Sequence, residues 1–307
     1  MSSVPLVSIG LPVYNGERFI ERALCSLLAQ DYSNIEIVVS DNDSTDKTNE
    51  ICCAYAKDEN RIKIYKQKYN VGVISNFEKV VSLAHGEYFM WAAVDDYWLP
   101  SFISKLVVEL EKHKDAGVAM SAVDRIRNDN SIYDRVQYTG YKNPNHKSLL
   151  GMALGLISSV KYNLFIYGVF RTQLLRENLP IPLANSGDRW FLLKISLISK
   201  FCYIDEVLHI RTINEKTYYQ RYPGDDFARK KICSDNKWFH FELIPLVYKL
   251  IIHSKSIPQK RKIFIPIILS YLFYRRVVLG LRGILKYLVL NFFPKSAQDK
   301  IICYIKK

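Results

Sequence analysis

The hydrophobic pattern of the first 112 residues alternates between two periods. Short apolar runs predict four β-strands, at Val7–Leu11, Glu36–Ser40, Ile62–Tyr65 and Tyr88–Val94. Amphipathic stretches after these runs predict four helices, at about 18–29, 46–57, 74–84 and 100–112. Strands that alternate with helices are typical of a mostly parallel sheet flanked by helices, so the sequence predicts an α/β, Rossmann-like fold.

The pattern changes twice after residue 112. Beyond about residue 125 it is less regular, with a strand predicted at Phe165–Phe170, a helix at Asp188–Ile198 and a strand at Val207–Arg211. From about Phe227 only long helical stretches follow. We therefore expect two regions, an α/β domain at 1–226 and a basic amphipathic helical region at 227–307.

Charge is concentrated in this second region. Residues 229–307 contain 17 Lys and Arg against 3 Asp and Glu, whereas the rest of the chain contains 26 against 27. The longest uncharged run there, Ile263–Tyr274, is shorter than the roughly 20 residues that a membrane-spanning helix needs. Aromatic and aliphatic residues interleaved with Lys and Arg predict a helix that lies on an anionic membrane surface. A helical bundle packed on the core is the alternative, and no motif indicates nucleic-acid binding.

The chain ends and the cysteines bear on localisation. No basic stretch followed by an apolar run marks the N-terminus, so a secretory signal is not expected. The six cysteines form no Cys-x-x-Cys pair and are interpreted as reduced thiols. We expect a cytoplasmic protein, peripheral on the inner face of the cell membrane.

Polar residues gather where the predicted strands end. These segments are Pro12–Glu17, Asp41–Ser44, Asn70–Gly72 and Asp95–Asp96. In doubly wound sheets, ligands bind beyond the carboxyl ends of the strands, so these segments predict a ligand site. A dinucleotide-dependent dehydrogenase is disfavoured, because no Gly-x-Gly-x-x-Gly follows the first strand.

Four sequence blocks carry a family resemblance. VSIGLPVYNGERFIERALCSLLAQ, IEIVVSDNDSTDKT, NVGVISNF and YFMWAAVDDYWLPSFI resemble, in order and spacing, the family 2 glycosyltransferases of the GT-A fold. The resemblance implies an inverting hexosyltransferase of bacterial surface polysaccharide biosynthesis. Its donor would be a nucleotide-diphosphate sugar, with a UDP-sugar expected first.

The resemblance also implies which residues contact the donor. Tyr14 can present its ring to the base, and the residue matching Asp41 accepts a hydrogen bond from the base. Helix capping is the alternative role for Asp43 and Ser44, and a plain turn is the alternative for Gly72. The full set expected to bind the nucleotide sugar is Pro12, Tyr14, Asn15, Glu17, Asp41, Asp43, Asn70, Gly72 and Asp95.

A divalent cation, Mn²⁺ or Mg²⁺, is expected at the DxD-type motif. Such a cation would neutralise the charge that develops on the diphosphate as the sugar leaves. The resemblance makes Asp96 a metal ligand, Asp95 a contact to ribose or a metal-bound water, and His209 a further residue at the metal. The chain departs from the usual pattern at Val94, where the motif normally begins with Asp.

The general base implied by the resemblance is Asp188, in the stretch NSGDRWFLLKIS. Gly187 replaces the Glu that usually precedes this residue. A helix N-terminus is expected to keep Asp188 ionised, and helix capping is the alternative role. Asp205 and Glu206 are the nearest competitors, and they are expected to form a turn.

Three functions remain open from the sequence. The first is sugar transfer to a hydroxyl of a lipid-linked oligosaccharide or other glycan, which requires a general base. The second is transfer to a polyprenyl phosphate, which is already anionic and requires none. The third is a non-catalytic sugar-nucleotide-binding or scaffold protein, supported only by Val94 and Gly187.

Overall fold

The computed structural model divides the chain into two compact units, Met1–Ser234 and Asp235–Lys307. It describes residues 4–138, 152–153, 155–156, 160–183, 187–213, 248–249 and 251–271. The predicted boundary between residues 226 and 227 lies outside the described residues and stays a prediction.

A nine-stranded sheet organises the first unit. Its strands are β1 (Val7–Val13), β2 (Ile35–Asp41), β3 (Ile62–Lys66), β4 (Tyr88–Trp91), β5 (Tyr97–Trp98), β6 (Ala116–Ile126), β7 (Ile132–Val136), β8 (Val169–Arg171) and β9 (Lys200–Thr212). The strand order is β3-β2-β1-β4-β8-β6-β9-β5, and β7 pairs with β6.

The sheet is mixed, which corrects the expectation of a mostly parallel one. The pairs β1–β2, β2–β3, β1–β4 and β6–β9 are parallel. The pairs that join β8 to β4 and β6, β7 to β6, and β5 to β9 are antiparallel. The three-residue strand β8 runs opposite to both of its neighbours and so joins the two parallel parts. An apolar run does not specify strand direction, which is why the sequence could not predict this arrangement.

Helices cover both faces of the sheet. They are α1 (Ile20–Leu28), α2 (Thr48–Asp58), α3 (Val73–Leu83), α4 (Phe102–Lys112), α5 (Thr172–Arg176) and α6 (Gly187–Ser196). Alternate residues of β4 belong to two different core clusters, because successive strand side chains point to opposite faces. Tyr88 and Met90 pack with residues of α1 and α4, whereas Phe89 and Trp91 pack with residues of α3 and α6.

Three local predictions were wrong. In the stretch predicted as a strand at 165–170, residues 165–167 belong to a 3-10 helix at Val160–Tyr167, and strand β8 begins only at Val169. Strand β9 is longer than predicted, and Asp205 and Glu206 lie within it where its register with β6 shifts, not in a turn. Strands β6 and β7 were not predicted at all.

In the second unit, the described residues include a 3-10 helix at Gln259–Phe264 and helical residues 265–271. Lys262 Nζ donates to the carbonyl oxygen of Ile252 at 2.7 Å. Within the residues that the structure describes, no helix has both the length and the apolar character needed to cross a bilayer. Most of the predicted membrane-associating segment lies outside these residues.

Candidate functional site

The loops after β1 and β2 are joined by backbone-to-side-chain hydrogen bonds. The Asn15 amide donates to Ser44 Oγ at 2.9 Å, and the Thr45 amide donates to Asn15 Oδ1 at 2.8 Å. Asn15 has a φ of 49°, a left-handed conformation that Asn tolerates better than most residues. These bonds hold Asn15 in place beside the start of α2.

Glu17 and Asp46 reinforce the same junction. The Glu17 amide donates to Asp46 Oδ2 at 3.1 Å, and Glu17 Oε2 accepts from the Lys47 amide at 3.0 Å. Asp46 Oδ1 also accepts from the Thr48 amide at 3.0 Å. Both carboxylates satisfy backbone donors at the start of α2, which is a capping role. Contact of Glu17 with a nucleotide sugar stays a prediction.

Asp41 has a buried oxygen without a partner. The residue is 0% exposed, and its Oδ1 accepts from the Ser44 amide at 3.0 Å. Within the described part of the chain, Oδ2 makes no hydrogen bond. A buried acceptor without a donor is unfavourable, so this oxygen is suited to accept an N–H from a ligand. Tyr14 and Asp43, also predicted donor contacts, are half-buried nearby in sequence, and Pro12 is buried.

The Asn70–Gly72 turn is held by a residue that the sequence analysis missed. Asn42, which is buried, donates through Nδ2 to Asn70 Oδ1 at 2.8 Å and accepts from the Val71 amide at 2.9 Å. The Gly72 amide donates to Asn70 Oδ1 at 2.8 Å, and Gly72 has a φ of 85°. Glycine is therefore required by the backbone of this turn, independently of any ligand.

Asp96 and His209 come together as predicted, but they bond to each other. His209 Nε2 and Asp96 Oδ2 are 2.9 Å apart, and Asp96 Oδ1 accepts from the Thr212 amide at 3.3 Å. Both side chains are buried, and the imidazole stacks on Trp98 with ring centroids 5.2 Å apart. The two atoms that would coordinate a cation therefore face each other.

The neighbouring residues of the motif are Val94 and Asp95. Among the described residues, no group of three His, Cys, Asp or Glu side chains is placed to hold a metal ion. Val94 packs against the hydrophobic core, and a Cβ on Gly16 would lie 2.8 Å from Val94 Cγ2. Asp95 is half-buried, and its backbone oxygen accepts from Arg22 Nη2 at 2.8 Å. Direct coordination of a cation by Asp96 and His209 stays a prediction.

Arg211 lies among these acidic groups, two residues after His209 on β9. Burial alone would lower the pKa of Arg211, but Asp96, Tyr167 and Asp95 raise it. The guanidinium therefore stays charged. Burial also raises the pKa of Tyr167, against the opposing effect of Arg211, so its phenol stays protonated. Sequence analysis missed both residues, although the i, i+2 spacing of His209 and Arg211 places them on one face of a strand.

Asp188 lies in the first turn of α6. Asn163 Nδ2 donates to its Oδ2 at 3.0 Å, and the Arg189 amide donates to its Oδ1 at 2.8 Å. Burial raises the pKa of Asp188, while these two hydrogen bonds and the charges of Arg211 and Arg189 oppose the increase. The effect of burial is the largest, so the pKa of Asp188 is raised, and its ionisation at the helix N-terminus stays a prediction. A raised pKa makes Asp188 a stronger base than an exposed Asp once it is ionised.

The glycine before Asp188 has a steric explanation. A Cβ at Gly187 would overlap the carbonyl oxygen of Pro182. The Glu expected at this position from the family pattern therefore does not fit this backbone. Arg211 interacts electrostatically with Asp95, Asp96 and Asp188. Arg211 therefore lies within electrostatic range of both Asp188 and the loop that carries Asp95 and Asp96.

Comparison with known proteins identifies the family. Residues 8–177 match the profile described as Glycosyl transferase family 2. An uncharacterized glycosyltransferase of Haemophilus influenzae is 38% identical over 113 residues, which is 37% of this chain and 35% of that protein. The chain thus spans only about a third of this relative's length.

Two solved structures share the fold. S. aureus TarS 1-349 in complex with UDP-GlcNAc superimposes with a TM-score of 0.68 at 19% identity, covering 95% of this chain and 77% of that one. The mannosyltransferase PcManGT from Pyrobaculum calidifontis, in complex with GDP-Man and Mn²⁺, gives a TM-score of 0.54 at 16% identity, covering 99% and 86%. The α/β fold with a mixed sheet is therefore GT-A-like. Because the family profile matches more than half of the 307 residues, the chain belongs to glycosyl transferase family 2.

Proposed function

We propose that this protein is an inverting glycosyltransferase that moves a sugar from a nucleotide-diphosphate sugar to a hydroxyl of a glycan or lipid-linked glycan. The observation that carries the proposal is the placement of Asp188. This half-buried carboxylate has a raised pKa and interacts with Arg211, which in turn interacts with Asp95 and Asp96. A base is thereby held within electrostatic reach of the strand-end carboxylates but on a different element.

The donor side of the proposal rests on Asp41. Its unpartnered Oδ2 can accept the ring N–H of a base, and uracil offers such a donor. The half-buried ring of Tyr14 can pack on the base, and Asp95 can accept from ribose. The related structures bound UDP-GlcNAc and GDP-Man, which supports a nucleotide sugar as donor. Guanine also carries a ring N–H, so both nucleotides belong in the test.

The chemical step follows from the charges. Asp188 takes the proton of the acceptor hydroxyl as the oxygen forms a bond to the anomeric carbon. The bond from that carbon to the diphosphate oxygen breaks, and the electron pair leaves with the nucleotide diphosphate. Arg211 is a half-buried cation near Asp95, where negative charge on the leaving group would be stabilised. Attack from the side opposite the diphosphate inverts the anomeric configuration.

The proposed function also includes a divalent cation and a location at the membrane. A divalent cation would supply Lewis-acid stabilisation of the leaving diphosphate, and Asp96 and His209 are the residues expected to hold it. The proposed location is the cytoplasmic face of the membrane, with the basic region 227–307 on anionic lipids. The charge of residues 229–307 supports it.

The decisive experiment is a donor screen with the full chain. Purified protein is incubated with UDP- and GDP-sugars and a panel of glycans, with and without Mn²⁺. Release of the nucleotide diphosphate is measured, and the anomeric configuration of the product is determined by NMR. We expect turnover of one donor with inversion. Nucleotide-sugar binding without turnover of any donor would instead favour a non-catalytic role, and a product of retained configuration would reject the assigned mechanism.

A further inference from the structure

A cleft next to the proposed site is lined by three arginines. Its volume is about 190 Å³, and it lies between the start of α1, the β6–β7 turn and the end of β9. We call it the arginine cleft, and its lining residues are Arg18, Phe19, Arg22, Arg127, Asn128, Asn130 and Thr212. None of these residues is acidic. The guanidinium groups repel one another, and a bound anion would relieve that repulsion.

Two of the guanidinium groups are held in position. Arg22 Nη2 donates to the Asp95 backbone oxygen and to Thr212 Oγ1, both at 2.8 Å, and Arg22 lies over the Tyr97 ring at 4.9 Å. Both hydrogen bonds use Nη2, so Nε and Nη1 have no hydrogen-bond partner within the described part of the chain. These donors are suited to a phosphate or carboxylate.

The turn after β6 positions Arg127. Its amide donates to the Ser131 carbonyl oxygen at 2.9 Å, and its guanidinium lies 4.9 Å from the centroid of the Tyr133 ring. The neighbouring acid, Asp129, directs its carboxylate to Ser131, accepting from the amide at 2.9 Å and the hydroxyl at 2.6 Å. Asp129 also interacts electrostatically with Arg127 and so offsets part of that charge, but its carboxylate is bonded to Ser131 and does not line the cleft.

The other lining residues suit a sugar. Arg18 lies over the Phe19 ring, 5.2 Å from its centroid, and Asn128 and Asn130 offer amide donors and acceptors for hydroxyls. The bond from Arg22 to Asp95 joins the cleft to the acidic loop of the proposed site. We propose that the arginine cleft binds an acidic sugar unit of the acceptor, one that carries a phosphate or a carboxylate. This inference rests on the proposed function, since it assumes a glycan acceptor.

The first test uses simple sugars as probes on the full chain. Glucose 6-phosphate, glucuronic acid and neutral glucose are compared by saturation-transfer NMR at low salt. We expect the two acidic sugars to bind at least about tenfold more tightly than glucose, and 0.5 M NaCl to weaken that binding. Binding of the phosphate sugar alone identifies a phosphate-bearing acceptor, and binding of both identifies anionic sugars in general. Equal affinity for glucose overturns the proposal.

The second test uses variants. Arg18→Gln/Arg127→Gln removes two cleft charges without touching Arg22, and Lys63→Gln/Lys66→Gln removes two exposed charges on the edge strand β3 as a matched control. We expect at least a tenfold loss of acidic-sugar binding in the first variant only. If its melting temperature falls, Arg18→Gln alone is used. Unchanged binding overturns the proposal.

UDP binding and vesicle binding distinguish the arginine cleft from the donor site and from a membrane-binding surface. UDP binding is measured on every variant and should not change, so failure of the unmodified protein to bind UDP or GDP counts against the proposed function and not against the cleft. Vesicles of phosphatidylglycerol test the membrane alternative. If the arginine variant loses vesicle binding but keeps acidic-sugar binding, the cleft binds anionic lipids and not the acceptor, and the proposal is wrong.

Discussion

Replacing Asp188 by Asn tests the proposed mechanism most directly. The substitution keeps the shape of the side chain but removes the base. Asn can still accept from the Arg189 amide, and the Asn163 amide can turn to present its oxygen to the new NH₂ group. Packing around α6 should therefore be preserved, and the loss should appear in turnover.

The expected loss is about 10²–10⁴-fold in kcat, the usual contribution of general-base catalysis, or roughly 3–5 kcal/mol of barrier. Donor affinity should change little, because Asp188 lies on α6, whereas Asp41, the proposed contact to the nucleobase, lies at the end of β2. The matched control is Asp205→Asn, which removes an exposed acid of β9 and should leave turnover unchanged. Turnover is measured as nucleotide diphosphate release under saturating donor and acceptor.

The pH dependence of the same variant gives an independent check. Because burial raises the pKa of Asp188, its ionised form destabilises the folded protein. The stability of the protonated form is present below the pKa of an unfolded Asp and is lost as pH rises through the higher pKa of the folded state. Asp188→Asn should therefore match or exceed the parent Tm at pH 7, and the difference should disappear at low pH. Near-normal turnover in Asp188→Asn would refute the assignment and favour a polyprenyl-phosphate acceptor.

Four further predictions follow from named contacts. Asp41→Ala should weaken UDP binding by about tenfold or more in calorimetry, since it removes the free acceptor Oδ2, and unchanged affinity would reject the base contact. His209→Leu should destabilise the protein by about 3–5 kcal/mol in urea unfolding at neutral pH, because it leaves Asp96 buried without its partner, whereas a loss below about 1 kcal/mol would contradict the bonded pair. Gly187→Ala should lower the Tm, because its Cβ would overlap Pro182, and an unchanged Tm would show that this backbone shifts freely. Deleting residues 227–307 should abolish sedimentation with anionic vesicles at low salt, with circular dichroism as the folding control, and a full-length protein that ignores such vesicles would disprove surface binding.

The sequence predicted the first half of the fold well because its elements have clear periods. Strand β1 ends two residues beyond the predicted Leu11, and α4 begins two residues after the predicted start. The later part was harder for a physical reason. Phe165–Phe170 is apolar whether it forms a strand or a 3-10 helix, so burial in the core hides its period. Strand β6 is buried along almost its whole length and has no alternation to detect.

The sequence predicted where the site residues lie relative to the strands better than which side chains they contact. The strand-end rule placed Asp41, Asn70 and Asp96 at the carboxyl ends of predicted strands. In the structure Asp41 is the last residue of β2, and Asn70 and Asp96 follow β3 and β4. The rule could not show that Asn42 holds the Asn70 turn or that Arg211 lies near Asp95. Those contacts depend on side chains brought together across the sheet, which no local spacing records.

The two acids at the centre of the proposal differ in what surrounds them, and this difference suits them to different roles. Asp96 bonds directly to His209 and to the Thr212 amide, so it fixes the acidic loop after β4 against the end of β9. Asp188 accepts only from the neutral Asn163 side chain and a backbone amide in its described hydrogen bonds, while burial raises its pKa. A carboxylate held by neutral donors can take a proton without breaking an ion pair, whereas a carboxylate bonded to an imidazole is better suited to holding structure. Paired acids in contrasting environments are a recurrent way to divide such roles, and the contrast supports the proposal that Asp188 transfers the proton while Asp96 positions the loop after β4.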